Sequence, residues 1–192
     1  MSQENILVIK LGALGDFVYA IGPMQAIKKH HKTAKITLLT RLSFADLGYK
    51  TKIFDDILID PEPNFWKLKS LYDFRKTINS FQFDRIYDLQ TSDRTGFYYK
   101  LLGPFKRPEW SGIAPGCSHY HHYKRPTLKH TQDRHREQLA LAGINEVLHP
   151  DLSFMEGETK SFGLPPNYAL IVPGSSPKIK VKRWPSQNFS YI

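Results

Sequence analysis

Residues 5–16 read Asn5-Ile-Leu-Val-Ile-Lys-Leu-Gly-Ala-Leu-Gly-Asp16, and they decide the fold because they join a short apolar strand to a helix through a glycine turn. The segment 6–9 is all branched aliphatic, which is typical of a strand buried on both faces of a parallel sheet. Gly12 and Gly15 leave the backbone without Cβ atoms at the turn, so another molecule can approach closely. Asp16 stands where an N-cap belongs, which puts one acid at the carboxyl end of the first strand, where open α/β sheets bind ligands.

Strand and helix patterns alternate after this first unit. Apolar runs predict three more strands, over 36–40, 57–60 and 85–89. Apolar residues at helical spacing predict helices over 65–80, 95–102 and 131–142, the last closed by Gly143 as a C-cap. This alternation predicts the α/β fold class, with a Rossmann-like parallel sheet that carries helices on both faces.

The composition changes after residue 144. Residues 145–166 are rich in proline, glycine and acids, which predicts an interdomain linker. Residues 168–172 then read as a new apolar strand, and Trp184-Pro185 opens a helical pattern. We therefore predict a domain over 1–144, a linker over 145–166 and the truncated start of a second domain over 167–192, since a whole domain needs about 100 further residues.

Composition narrows the class of protein. Of the 192 residues, 41% are hydrophobic, which is enough for a core. No apolar run approaches the roughly 18 residues of a membrane span, and the polar amino terminus does not read as a signal peptide. Cys117 is the only cysteine, which fits a reducing compartment. These features predict a cytoplasmic protein.

The net charge of +9 points to an acidic partner, which is nucleic acid, an anionic membrane surface or a phosphorylated substrate. Basic residues concentrate in 100–136 and in 178–183. Each run is either a solvated face or an anion-binding surface. A nucleic-acid partner is disfavoured because the chain has no stacking or helix-turn-helix signature. A dinucleotide oxidoreductase is disfavoured because Gly12-x-x-Gly15 is not the G-x-G-x-x-G fingerprint.

Three blocks of the sequence carry a family resemblance. They are Ile9-Lys-Leu-Gly-Ala-Leu-Gly-Asp16 followed by Pro23, Phe83-Asp-Arg-Ile-Tyr-Asp-Leu-Gln-Thr-Ser-Asp-Arg94, and Val172-Pro-Gly-Ser-Ser followed by Lys182-Arg-Trp-Pro185. In this order and spacing they resemble glycosyltransferase family 9, the ADP-heptose:lipopolysaccharide heptosyltransferases. The chain matches about the first half of a typical family member.

The resemblance implies a GT-B architecture of two facing Rossmann-like domains. The first domain would hold a Kdo–lipid A acceptor, and the second would hold ADP-heptose as the nucleotide-sugar donor. The implied reaction is an inverting, metal-independent transfer of heptose to the inner core of lipopolysaccharide. Such an enzyme would lie in the cytoplasm or at the periphery of the inner membrane, in contact with its anionic surface.

Individual residues take roles from this resemblance. Asp16 matches the general base, although the amino terminus of a helix stabilises a carboxylate and weakens it as a base. Gly15 is assigned to the acceptor together with Asp88, Gln90 and Arg94, which lie at the end of the fourth strand, on the same sheet edge as Asp16. Arg94 either makes a bidentate hydrogen bond to an acceptor carboxylate or phosphate, or belongs to a structural network of polar groups at the strand ends.

Donor binding is assigned to Ser175, Ser176 and Lys182, with Lys182 at the donor's phosphates. No Asp-x-Asp pair occurs, so fixed cations and amides are expected at the leaving diphosphate, with no metal and no cofactor. The spacing of His119, His121 and His122 matches no tight ligand set.

The residues leave two questions open, the role of the basic segment 120–136 and the function of the whole chain. The basic segment 120–136 meets the phosphates of lipid A or is a plain surface loop. The chain as a whole is a glycosyltransferase, or a non-catalytic remnant or module that binds an acidic glycolipid acceptor.

Overall fold

The computed structural model describes residues 3–64, 66–103, 107–122, 129–158, 160–174 and 183–191. The chain divides into two compact units, Met1–Met155 and Glu156–Ile192. Regular helices and strands of the described residues all lie in the first unit. The candidate site is therefore built on that unit.

A six-stranded sheet forms the centre of the first unit. Its strands are β1 Asn5–Ile9, β2 Lys35–Thr40, β3 Asp56–Ile59, β4 Arg85–Asp88, β5 Glu109–Gly112 and β6 His119–Tyr120. They lie in the order β3-β2-β1-β4-β5-β6, and every neighbouring pair is parallel. At the end of β1, Ile9 stands between Leu39 of β2 and Asp88 of β4. β1 is thus a central strand.

Five helices cover the sheet: α1 Leu14–His30, α2 Leu42–Lys50, α3 Leu68–Ser80, α4 Asp93–Leu101 and α5 Thr131–Leu141. Ile6 and Val8 of β1 belong to the apolar cluster beneath α1, α2 and α5, and Leu7 and Ile9 to the cluster beneath α3 and α4. The branched aliphatic run at 6–9 is therefore buried on both faces, and the predicted α/β fold class is confirmed. Within the described residues, no helix is long and apolar enough to cross a bilayer.

Three elements have no counterpart among the predictions. α2 fully buries only Gly48, and its apolar residues Phe44, Ala45 and Leu47 are partly buried against the core. β5 reads Glu-Trp-Ser-Gly and β6 has two residues, so neither presents an apolar run. These elements form because neighbouring strands and helices supply their partners.

Residues 145–155 pack against the first unit. The side chain of Gln25 donates to the carbonyl of Asp151 at 3.0 Å and accepts from its amide at 3.1 Å. A Cβ on Gly22 of α1 would lie 2.7 Å from the carbonyl oxygen of Leu148, so only glycine allows this approach. The first unit therefore continues to Met155, into the segment predicted as linker.

The second unit differs from its prediction in one respect. Residues 168–172, predicted as a strand, are exposed and form no strand. The reason is that a strand needs a neighbour, and the described residues of this unit contain 3-10 turns, Lys160–Phe162 and Ser186–Tyr191, rather than a sheet. The helical pattern opened by Trp184-Pro185 is realised as the second of these turns.

Candidate functional site

The carboxyl ends of the parallel strands form one edge of the sheet, which we call the carboxyl edge. β1 leads to α1 on one face, and β4 leads to α4 on the other face. The chain therefore leaves these adjacent strands in opposite directions. Such a switch point opens a crevice, and open α/β sheets bind ligands there. The residues that follow β1 and β4 are the candidate site.

Asp16 lies at this crevice, but its predicted role as an N-cap is wrong. α1 begins at Leu14, with Ala13 as its N-cap, and Asp16 is the third residue of the first turn. The apolar spacing hid the true start because Leu14 and Gly15 are exposed. The Asp16 side chain is also exposed, so its carboxylate is open to a ligand. An acid in the first turn is favourable beside the unpaired amides of a helix amino terminus.

The two glycines of the turn have different roles. Gly12 has a φ of +112°, and a Cβ there would lie 2.4 Å from the ring of Phe44. Gly12 is thus required for the turn and for contact with α2. Gly15 is exposed, and a Cβ on it would meet no atom within 4 Å. The open space above Gly15 is consistent with its predicted contact to the acceptor, which stays a prediction.

Lys10 is a site residue that the sequence reasoning missed. It follows β1 directly, is 3% exposed, and donates from Nζ to the carbonyl of Leu89 at 3.0 Å. Burial lowers its pKa to about 8, against the opposing effect of Asp16 and Asp88. The charges of two predicted site acids thus act on a buried ammonium. A charged residue directly after a buried strand is the signal that would have identified it.

Asp88 ends β4 and has no exposed surface. Its Oδ1 accepts the backbone amides of Gln90 and Thr91, at 3.1 and 3.0 Å. Its Oδ2 has no hydrogen-bond partner among the described residues. Burial raises the pKa of this carboxyl to about 6. Asp88 therefore holds the turn after β4 from beneath, and its predicted contact with the acceptor is untested.

Gln90 joins the two turns of the crevice. Its side-chain oxygen accepts the backbone amide of Leu11 at 3.0 Å, across the gap between the ends of β1 and β4. This contact fixes the spacing of the turns that carry Asp16 and Arg94.

Arg94, in α4, belongs to a network at the end of β3. Its Nη1 lies 3.4 Å from Asp60 Oδ2 and 3.8 Å from Glu62 Oε2. Asp60 is buried and accepts the hydroxyl of Tyr98 at both oxygens, each at 3.0 Å. Burial, followed by the charge of Asp60, raises the pKa of Tyr98. Of the two predicted roles for Arg94, the structural network is thus present, and the acceptor contact stays a prediction.

α5 supports the site from below through two buried residues that the sequence reasoning did not identify. His135 Nε2 contacts the carbonyl of Leu89 at 3.3 Å, and burial lowers the pKa of this histidine to about 3. Gln138 donates to the carbonyls of Asp88 and Ser111, at 3.0 and 3.1 Å. Both contacts tie the ends of β4 and β5 to one helix.

Three described side chains of the basic segment 120–136 pair with acids. His121 Nε2 lies 3.3 Å from Glu137, and Lys129 contacts the same carboxylate. Arg136 contacts Asp133 at 3.0 Å. Across the described ranges, no group of three or more histidine, cysteine, aspartate or glutamate side chains could hold a metal ion.

The predicted donor residues Ser175, Ser176 and Lys182 lie outside the described residues. Their assignment therefore stays a prediction from sequence.

Comparison with known proteins identifies the fold. The chain resembles a glycosyl transferase of family 9 from Veillonella parvula with a TM-score of 0.69 and 19% identity, over 98% of this chain and 57% of that one. It resembles E. coli heptosyltransferase WaaC with ADP-2-deoxy-2-fluoro heptose with a TM-score of 0.57 and 13% identity, over 78% and 50%. For E. coli ADP-heptose LPS heptosyltransferase II the TM-score is 0.52 and the identity 15%, over 92% and 48%.

Sequence identities this low show a shared fold only. The shared fold confirms the family resemblance that the three motifs predicted. The chain spans about half the length of the solved structures that it matches. No protein-family model and no curated protein matches the sequence.

Proposed function

We propose that this chain is the acceptor-side part of a heptosyltransferase-like glycosyltransferase, which moves a heptose from ADP-heptose to the inner core of lipopolysaccharide. The observation that carries the proposal is the exposed carboxylate of Asp16 in the first turn of α1, at the switch between β1 and β4. The reaction class is supported by the fold, which is shared with three glycosyltransferase structures.

In this proposal Asp16 is the general base of an inverting transfer. Its carboxylate takes the proton of an acceptor hydroxyl while the hydroxyl oxygen attacks the anomeric carbon of the heptose. The bond between that carbon and the diphosphate oxygen breaks on the opposite face, and ADP leaves. A single positioned base contributes about 10²–10⁴-fold to such a step.

The acceptor is proposed to lie over Gly15 and along the turn after β4. Gln90 holds that turn, and Arg94 presents a partly exposed guanidinium there. A guanidinium suits the carboxylate of an acidic sugar or a phosphate. Asp88 would act through the turn that it supports.

The donor is proposed to bind through Ser175, Ser176 and Lys182. These residues belong to the segment 167–192, which is proposed to be the start of the nucleotide-sugar-binding domain. Fixed cations and amides of this kind stabilise a departing diphosphate without a metal. The protein would then work in the cytoplasm, at the surface of the inner membrane.

The test combines transfer and acceptor binding. With ADP-heptose and a Kdo–lipid A acceptor, Asp16→Asn should lower ADP release by about 10²–10⁴-fold and keep acceptor binding. Asp93→Asn is the matched control, because Asp93 is an exposed acid in the first turn of α4 at the same edge. Unchanged turnover in Asp16→Asn would end the assignment of the base.

A second candidate is an acceptor-binding module without catalysis. It is favoured by the described residues 160–174, which are exposed throughout and form no sheet. Isothermal titration with ADP-heptose separates the candidates. Micromolar binding would exclude the second one, whereas acceptor binding without donor binding would favour it.

A further inference from the structure

Exposed apolar side chains gather at one part of the carboxyl edge. We call Leu14, Leu42, Ile59, Trp66 and Leu68 the apolar rim. The most exposed of them are Leu42 at 76%, Leu68 at 84% and Trp66 at 95%. Leu14, Leu42 and Leu68 begin α1, α2 and α3. Ile59 ends β3, and Trp66 lies in the loop between β3 and α3, so the parallel topology brings all five to the same edge. Exposed apolar side chains that gather at one place, unlike scattered ones, mark interaction sites.

Contacts between neighbouring helices and loops support the apolar rim. The ring of Phe44 in α2 stacks on Phe17 of α1 at 5.6 Å, which joins the starts of these helices. Arg41 Nε lies 3.4 Å from Glu62 Oε1, which joins the loop after β2 to the loop after β3. The starts of α1 and α2 are therefore neighbours, and the loop that leads from β3 to α3 contacts the loop before α2.

The turn that carries Trp66 is held by hydrogen bonds. The amide of Trp66 donates to the side chain of Asn64 at 2.9 Å, and the amide of Asn64 donates to the hydroxyl of Ser70 at 3.2 Å. The amide of Lys67 donates to the carbonyl of Asn64 at 3.0 Å. The backbone is thus fixed while the indole of Trp66 points to solvent.

Basic residues alternate with the apolar ones. The sequence Trp66-Lys67-Leu68-Lys69 places two exposed lysines beside the most exposed apolar side chains, and neither lysine pairs with an acid among the described residues. Lysine is depleted in protein–protein interfaces. In contrast, tryptophan, leucine and lysine together suit the interface of an anionic bilayer, where apolar groups insert and ammonium groups meet lipid phosphates.

We propose that the apolar rim docks this protein on the surface of an anionic lipid bilayer. The inference deepens the proposed function and rests on it for its purpose, because docking would turn the edge that carries Asp16 towards a lipid-anchored acceptor. It assigns the membrane contact to the starts of α1, α2 and α3, and not to the basic segment 120–136, in which Lys129 and Arg136 are paired with acids.

Vesicle binding tests the proposal with this chain as it stands. We expect binding to vesicles of phosphatidylglycerol and phosphatidylcholine, weakened by added salt and at least roughly tenfold weaker on phosphatidylcholine alone. The double variant Trp66→Ser, Leu68→Ser should lose at least roughly tenfold in affinity. The double variant Lys67→Gln, Lys69→Gln should bind both kinds of vesicle with similar, low affinity.

The matched control is Leu141→Ser. Leu141 is 53% exposed and ends α5 next to His119, the first residue of β6, so it lies at the opposite edge of the sheet. The Leu141→Ser variant should bind vesicles with the affinity of the wild type. Because all these side chains are exposed, the variants should keep the wild-type melting temperature, which shows that any lost binding is not unfolding.

Fluorescence gives a second readout. Trp110 is buried, so in a Trp184→Phe background the emission change on vesicle addition reports Trp66. We expect a blue shift with anionic vesicles.

Equal vesicle binding by wild type and the Trp66→Ser, Leu68→Ser variant would overturn the proposal, as would no binding at all. A wild type that forms dimers without lipid, and a variant that is monomeric, would assign the apolar rim to contact between copies instead. Because the vesicles contain no sugar, failure here leaves the transfer and titration tests of the proposed function untouched.

Discussion

Replacing the buried Lys10 by methionine should stabilise the protein at neutral pH. Burial lowers the pKa of Lys10 from 10.5 to about 8, and at about 1.4 kcal/mol per pH unit this shift corresponds to roughly 3 kcal/mol. Methionine keeps the length of the side chain without its charge. The lost hydrogen bond to the carbonyl of Leu89 costs about 1 kcal/mol. We therefore expect Lys10→Met to raise the free energy of unfolding by about 2 kcal/mol at pH 7.

The pH dependence identifies the cause. Because the pKa is lower in the folded protein, the unfolded chain binds more protons between about pH 8 and pH 10.5, and wild-type stability should rise there. Lys10→Met lacks this rise, so its advantage should disappear as the pH increases. Urea unfolding followed by circular dichroism at pH 7 and pH 10 measures the difference. A difference that is the same at both pH values, or that matches the exposed control Lys29→Met, would refute the reasoning.

Two further substitutions test the structure around the site. Gly12→Ala should destabilise the protein by about 2–4 kcal/mol, because φ is +112° and the new Cβ would lie 2.4 Å from Phe44. In contrast, Gly15→Ala should stabilise it by about 0.5–1 kcal/mol, since its Cβ meets nothing within 4 Å in a helix, and thermal unfolding compares the pair. Tyr98→Phe should cost about 1–3 kcal/mol in urea unfolding, because the buried Asp60 loses its hydroxyl donor, and a loss no larger than that of the exposed Tyr72→Phe would contradict this.

The central part of the fold follows from the sequence because its pattern is local. The run at 6–9 has no polar residue, and only a strand covered on both faces accommodates it. The helix over 131–141 and the glycine after it follow from their own residues, and Gly143 indeed has a φ of +88°. In contrast, β5 exists because Glu109 and Trp110 pair with Arg85 and Ile86 of β4. That pairing is not visible in four residues.

The site was less predictable because its contacts join distant parts of the chain. Lys10 becomes a buried ammonium only because the carbonyl of Leu89 accepts it. The network of Arg94 depends on Asp60, which follows β3, a strand elsewhere in the sheet. A sequence motif marks such residues as candidates. Which of them is buried as support and which is exposed to a ligand is decided by the packing of the strands.

The acids at the carboxyl edge fall into two groups, buried and exposed. Asp60 follows β3 and Asp88 ends β4, and both are buried where they support the loops after these strands, while the acceptor contact of Asp88 stays a prediction. Asp16 and Asp93 are both exposed, in the first turns of α1 and α4. Asp16 follows the turn after β1, and its charge raises the pKa of the buried Lys10 against the effect of burial. A buried lysine costs stability, and proteins commonly retain such costs at functional sites. Asp16 is therefore the acid for which the base assignment is made, and Asp93→Asn is the control that separates this position from mere exposure.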